Sequence, residues 1–121
     1  MRVVSDTVKK FGELIGVDGL ALDEKGRLSF SIEKQGAVAI EAREGYVLLY
    51  LRRELNYPTM KTYQQALKLC HMDQEHERVL NVALVKDKYL IFCLRFDEND
   101  FILTELESGI ELLGSLHDQV S

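Results

Sequence analysis

The chain has 121 residues, 46% of them apolar and 29% charged, with 15 basic residues against 20 acidic ones. That length supports one hydrophobic core and is short for two, and the composition argues against disorder. A net charge of −5 and a pI of about 5.2 argue against a nucleic-acid partner, which needs a basic stripe; the densest basic pair, Arg52-Arg53, runs straight into Glu54.

The opening Met1–Asp6 has one basic residue but neither the apolar segment nor the cleavage site of a signal peptide. The longest apolar runs, such as Tyr46–Leu51, fall far short of the ~20 residues that span a bilayer. A cytoplasmic address and no membrane partner are the expectation. With that address, Cys70 and Cys93 are expected to stay reduced.

Ser5 or Asp6 can cap a first helix over about 4–16. Val4, Val8, Phe11 and Leu14/Ile15 form its apolar stripe, and Gly16 is a natural stop. A meander of strands follows, beginning at Leu20–Leu22. Asp23–Gly26 is a turn, after which Leu28, Phe30 and Ile32 alternate with polar residues. Gln35-Gly36 and Glu44-Gly45 are further turns, bounding strands at Ala37–Glu41 and Tyr46–Arg52. Pro58 resets the chain, and Thr59 is the N-cap of a second helix over about 59–71, with Met60, Tyr63, Leu67 and Cys70 at helical spacing. Asp73–Arg78 reads as a loop. Val79–Val85 and Tyr89–Phe96 form a hairpin across Lys86-Asp87-Lys88. Asp97–Asp100 offers N-caps for a last helix over about 100–117, with Ile102, Leu106, Ile110, Leu113 and Leu116 along one side. The expected fold is α+β, in the order α-β-β-β(-β)-α-β-β-α, as a single domain over 1–121 with an antiparallel sheet packed by helices.

The informative feature is a surplus of apolar surface. In Tyr46–Leu51 and Tyr89–Leu94 both faces of the strand are apolar, and such strands need cover on both sides. Three helices cover one face of the sheet with ease and two with difficulty. Either the sheet closes its own second face or the helices split between faces, or the surplus meets a second subunit, a protein ligand or a small molecule.

Chemistry is poorly represented. Cys70, His71, Asp73, Glu75 and His76 cluster in sequence, but adjacent helical residues point about 100° apart and no second paired cluster exists, so a polar helix end is the simpler reading. His117 suits a helix C-terminus, where a cation favours the dipole. No nucleophile motif or phosphate loop is present. The expectation is a protein-binding domain with no cofactor, no metal and no catalytic residue.

Phe11-Gly12-Glu13-Leu14-Ile15-Gly16, then Leu20-Ala21-Leu22-Asp23-Glu24-Lys25-Gly26-Arg27-Leu28-Ser29-Phe30, together resemble the start of the class I type III secretion chaperones. The passage Phe92–Leu106 and the order of elements are similar to that family too. The resemblance implies a cytoplasmic homodimer that binds, without ATP, a segment near the N-terminus of a secreted effector in largely extended form. It places the dimer seam at Met60, Tyr63, Leu67 and the strand Val79, Asn81, Ala83 and Val85. It places effector contacts at Val4, Val8 and Phe11, with Leu28, Phe30, Val47 and Leu49. One departure is the short, polar second helix, with Lys61, Gln64, Gln65 and Lys68. Two other readings compete: a regulatory or adaptor module that binds a folded partner, and an enzyme or small-ligand carrier with an enclosed pocket.

Overall fold

The computed structural model describes residues 2–55, 59–72, 78–86 and 88–120, by backbone alone at 2, 71 and 72. In chain order they form α1 (Arg2–Ile15), β1 (Arg27–Ile32), β2 (Gly36–Arg43), β3 (Tyr46–Glu54), α2 (Met60–Met72), β4 (Leu80–Val85), β5 (Tyr89–Asp97), a 3-10 turn (Glu98–Asp100) and α3 (Leu103–Val120). The α+β order expected from the sequence is present, with three strands in the meander and no strand at Leu20–Leu22.

Val4, Thr7, Val8 and Phe11 recur at steps of three and four, so one side of α1 is buried. The helix ends as the sequence suggests, on a left-handed Gly16 (φ 78°). The Val17 N–H reaches back to the Gly12 carbonyl at 2.8 Å, and the Gly16 N–H to that of Glu13 at 3.4 Å. A Cβ at Gly12 would lie 2.9 Å from Leu20 Cβ, so glycine lets Leu20 press onto the helix. The 20–22 segment is thus spent on packing against α1 instead of pairing with β1. Asp23 then closes the turn into β1: its Oδ1 accepts the N–H groups of Lys25 (2.8 Å) and Arg27 (2.9 Å). The Arg27 bond leads in holding the Asp23 carboxyl below its ordinary value.

The five strands lie in the order β1-β2-β3-β5-β4, every neighbouring pair antiparallel. Edges are therefore β1 and β4. Side chains alternate between the two faces. One face carries Val38, Ile40 and Ala42 of β2, Val47, Leu49 and Leu51 of β3, and Leu90, Phe92, Leu94 and Phe96 of β5, all buried. All three helices pack there: the buried residues of α1 and α3 and Ala66 of α2 belong to the same cluster as these strand residues. On α3 a Cβ at Gly109 would stand 2.9 Å from Leu49 Cδ2 and 3.0 Å from Phe96 Cζ, so that glycine sets how closely the helix approaches the sheet.

The second helix starts as expected, with Thr59 Oγ1 accepting the Thr62 N–H at 3.2 Å. Residues 73–77 of the expected loop at 73–78, and Pro58, lie outside the described residues. The last helix is displaced from its expected position. Phe101 is fully buried and meets Phe96 edge-on at 5.4 Å, and its carbonyl accepts the Thr7 hydroxyl at 2.7 Å. Anchoring Phe101 turns Glu98–Asp100 into a 3-10 corner, so Asp97 and its neighbours do not cap α3, and Ile102 is left half exposed. The helix compensates at its far end by running to Val120. His117, expected as a C-terminal cation, instead continues the buried stripe through Leu113. Its Nε2 donates to the Leu51 carbonyl at 2.8 Å, and its ring meets Phe92 edge-on at 4.8 Å. Burial pulls its pKa below 6.5, the opposite of what helix-end capping would do.

Candidate functional site

Because the helices share one face, the other face of the sheet is bare among the described residues. Strand register lays it out in rows. Ser29, Ala39, Tyr50, Cys93 and Asn81 stand side by side across all five strands. Beside them run Ser31, Ala37, Arg52, Ile91 and Ala83, and on the other side Arg27, Glu41, Leu48 and Arg95. The central residues Leu48, Tyr50, Ile91 and Cys93 are half-buried by their neighbours alone.

Its charges are organised. Glu41 Oε2 accepts from Arg43 Nη2 (3.0 Å) and from the Tyr50 hydroxyl (3.4 Å), while Arg27 Nε lies 3.7 Å from Oε1. Lys88 Nζ sits 3.2 Å from Glu54 Oε1, a hydrogen bond that raises its pKa. Arg95 lies 4.1 Å above the Tyr46 ring and Arg52 4.7 Å above that of Tyr89. Neither of those two arginines makes an ion pair among the described residues. Burial pushes the Tyr50 hydroxyl up to about 12 and the Cys93 thiol up to about 11. Cys93 therefore stays a protonated thiol near neutrality and is a weak nucleophile.

The residues expected to touch an effector divide. Val4, Val8, Phe11, Val47 and Leu49 are at most 3% exposed and lie between helices and sheet, so they build the core and present no surface. Leu28 and Phe30 are half-buried on the helix side of edge strand β1, with Phe30 against Phe11 at 5.9 Å. The exposed apolar residues at that end are Leu14, Ile15 and Val17. Nearby, a groove of about 530 Å³ runs between Ser5, Asp6, Lys9 and Glu13 of α1 and the Val17–Leu22 segment. The residues expected at a dimer seam also divide. Asn81, Ala83 and Val85 are on the bare face at edge strand β4, with exposed Val79 just before it. Met60 and Leu67 are exposed on α2, roughly 200° round the helix from Gln65, which bonds to the α3 backbone, so they point away from α3. Tyr63 turns inward and packs on the core. The expectation had no place for Leu48, Tyr50, Ile91, Arg52 and Arg95.

Of the residues weighed as a metal cluster, the His71 side chain, Asp73, Glu75 and His76 lie outside the described residues. Among the described residues no three His, Cys, Asp or Glu side chains group to hold a metal. No described helix is long and apolar enough to cross a membrane.

Residues 3–121 match the family described as type III secretory system chaperone SycN. The chain belongs to that family of chaperones. Solved structures agree on the fold. The chaperone is similar to the Yersinia pestis type III secretion chaperone SycH, solved in complex with a stable fragment of YscM2: 20% identity over 97% of this chain and 96% of that one, TM-score 0.66. It is similar to a chain of the ExsC-ExsE complex, at 16% identity over 98% of this chain and 88% of that one, TM-score 0.74. It is also similar to a chain of the HopA1-SchA chaperone-effector complex, at 15% identity over 95% and 88%, TM-score 0.64. No curated protein matches the chaperone by sequence.

Proposed function

We propose that this chaperone acts as a cytoplasmic homodimer that binds the N-terminal region of a secreted effector in non-globular form and keeps it soluble and competent for secretion. The observation that carries the reading is the family match across almost the whole chain. The bare sheet face supplies the physical means, and the structural neighbours solved with bound fragments or effectors support the kind of partner. An unfolded client must be ordered on binding, which costs free energy, so it needs broad apolar contact.

Two parts of the surface suit the two tasks. Val79, Ala83 and Val85 with Met60 and Leu67 wrap the β4 edge with uncharged side chains, and we assign them, with Asn81, to the homodimer seam. At the opposite edge, β1 pairs with β2 alone among the described residues, and beyond Arg27, whose N–H and carbonyl bond to Asp23, an extended effector segment can add a strand. Leu28 and Phe30 lie under that edge, and the nearby Leu14, Ile15 and Val17 offer apolar contact.

Light scattering after gel filtration tests the first part: a mass near twice 13.9 kDa is expected, falling to 13.9 kDa in Leu67→Glu/Val85→Glu. Co-expression with an effector tests the second. Limited proteolysis of the complex should leave a short N-terminal effector segment protected. A monomer that captures only folded domains would favour the adaptor module instead.

A further inference from the structure

We infer that the middle of the bare sheet face, around Leu48, Tyr50 and Ile91, is a docking surface for an acidic segment of the partner chain, held by Arg52 and Arg95. This deepens the chaperone reading and rests on it: the segment belongs to the effector, and its chemistry is apolar side chains interspersed with carboxylates.

Charge complementarity favours such a segment. The whole chain carries 20 acidic residues to 15 basic ones. Its bare face runs the other way, with four strand arginines (Arg27, Arg43, Arg52 and Arg95) to three carboxylates (Glu41, Glu54 and Asp97). The carboxylate at the centre is already committed, since Glu41 meets Arg43, Arg27 and the Tyr50 hydroxyl. Arg52 and Arg95 are not: each is exposed and lies over a tyrosine ring with no ion pair among the described residues. Cation–π stacking holds a guanidinium flat and leaves its N–H groups to take a carboxylate. The two cations flank the apolar residues along the strand direction, Arg95 beside Leu48 and Arg52 beside Ile91.

A second copy fits this part of the face poorly, because face-to-face pairing sets its excess positive charge against itself. The β4 margin is different: Asn81, Ala83 and Val85 carry no charge. A dimer closed there leaves the arginine-bearing strands β3 and β5 open beside the seam.

The test uses the full chain and two fluorescein-labelled peptides, one alternating leucine with glutamate and one alternating leucine with lysine. Wild type is expected to bind the glutamate peptide on the order of tenfold more tightly than the lysine peptide, with the preference fading as salt is added. Arg52→Glu/Arg95→Glu should reverse the preference with unchanged circular dichroism and solution mass, and Arg52→Lys/Arg95→Lys should keep it. If the charge reversal unfolds the chain, Arg52→Gln/Arg95→Gln replaces it, and loss of the preference is expected. Equal binding of both peptides, no binding of either, or a neutralised variant that binds like wild type would overturn the proposal. So would a changed solution mass in a folded variant, which assigns the face to a second copy. The chaperone reading fails separately: a wild-type chain that prefers the glutamate peptide but protects no effector segment keeps the docking surface and loses the effector.

Discussion

The two faces of the sheet are made from the same strands and do opposite things. In β3, Val47, Leu49 and Leu51 are buried under α3, while Tyr46, Leu48 and Tyr50, one residue out of phase, are half-buried with no described helix above them. In β5, Phe92 and Phe96 are fully packed while Ile91 and Cys93 are not. Composition barely distinguishes the faces, since both are largely apolar at their centres. What distinguishes them is where the helices went. A face committed to the core stabilises the fold, and a face left bare keeps apolar area in contact with solvent.

Substitutions on the two faces are expected to differ in cost. The largest effect is expected from Phe92→Ala, which removes a fully buried ring under His117 and should cost about 3–5 kcal/mol in denaturant unfolding. A smaller loss, about 1–3 kcal/mol, is expected from Gly109→Ala, because the new methyl meets Leu49 and Phe96. The third test is pH. His117 is buried among Phe92, the Leu51 carbonyl, Arg53 and Asp118, and its folded pKa lies below 6.5. The unfolded chain therefore binds that proton more readily, so the stability from burying the neutral ring is complete above pH 6.5. It is lost as pH falls from there towards the folded value. Chemical unfolding at pH 7.5 and 5.5 should show the loss in wild type and a reduced loss in His117→Gln, which keeps a donor for Leu51 and does not titrate. The smallest effect is expected on the bare face, where Leu48→Ala should cost the free chain about 1 kcal/mol or less. If Leu48→Ala costs as much as Phe92→Ala, the two faces are alike and the distinction between them falls.

Much of this was legible in the residues. Alternation at Leu28–Ile32 and the turns at Gly26, Gly36 and Gly45 mark the meander, and the stripe from Val4 to Phe11 marks the first helix. The apolar surplus was legible too, but not which half of it faces out. Val47 and Leu49 read as well as Leu48 and Tyr50 for a binding surface when both are apolar. Arg52 supplies the missing phase: it shares parity with Tyr46, Leu48 and Tyr50, as Arg95 does with Ile91 and Cys93, and a charge with no buried partner belongs on the solvent side. The shifted start of α3 was not legible, because the Asp97–Asp100 run looks like a cap and only the long-range anchoring of Phe101 makes it a corner. His117 was hidden by the same shift.

The Thr7 hydroxyl bonds to the Phe101 carbonyl across 94 residues of chain. The first helix therefore cannot be latched in place until the chain has been made through Phe101. Its apolar stripe, Val4, Val8 and Phe11, has to wait for the corner at Glu98–Asp100 and for α3, which lie far along the chain. Such distant contacts slow folding and lengthen the time that apolar segments stand uncovered. A member of a chaperone family thus passes through its own synthesis with apolar segments uncovered.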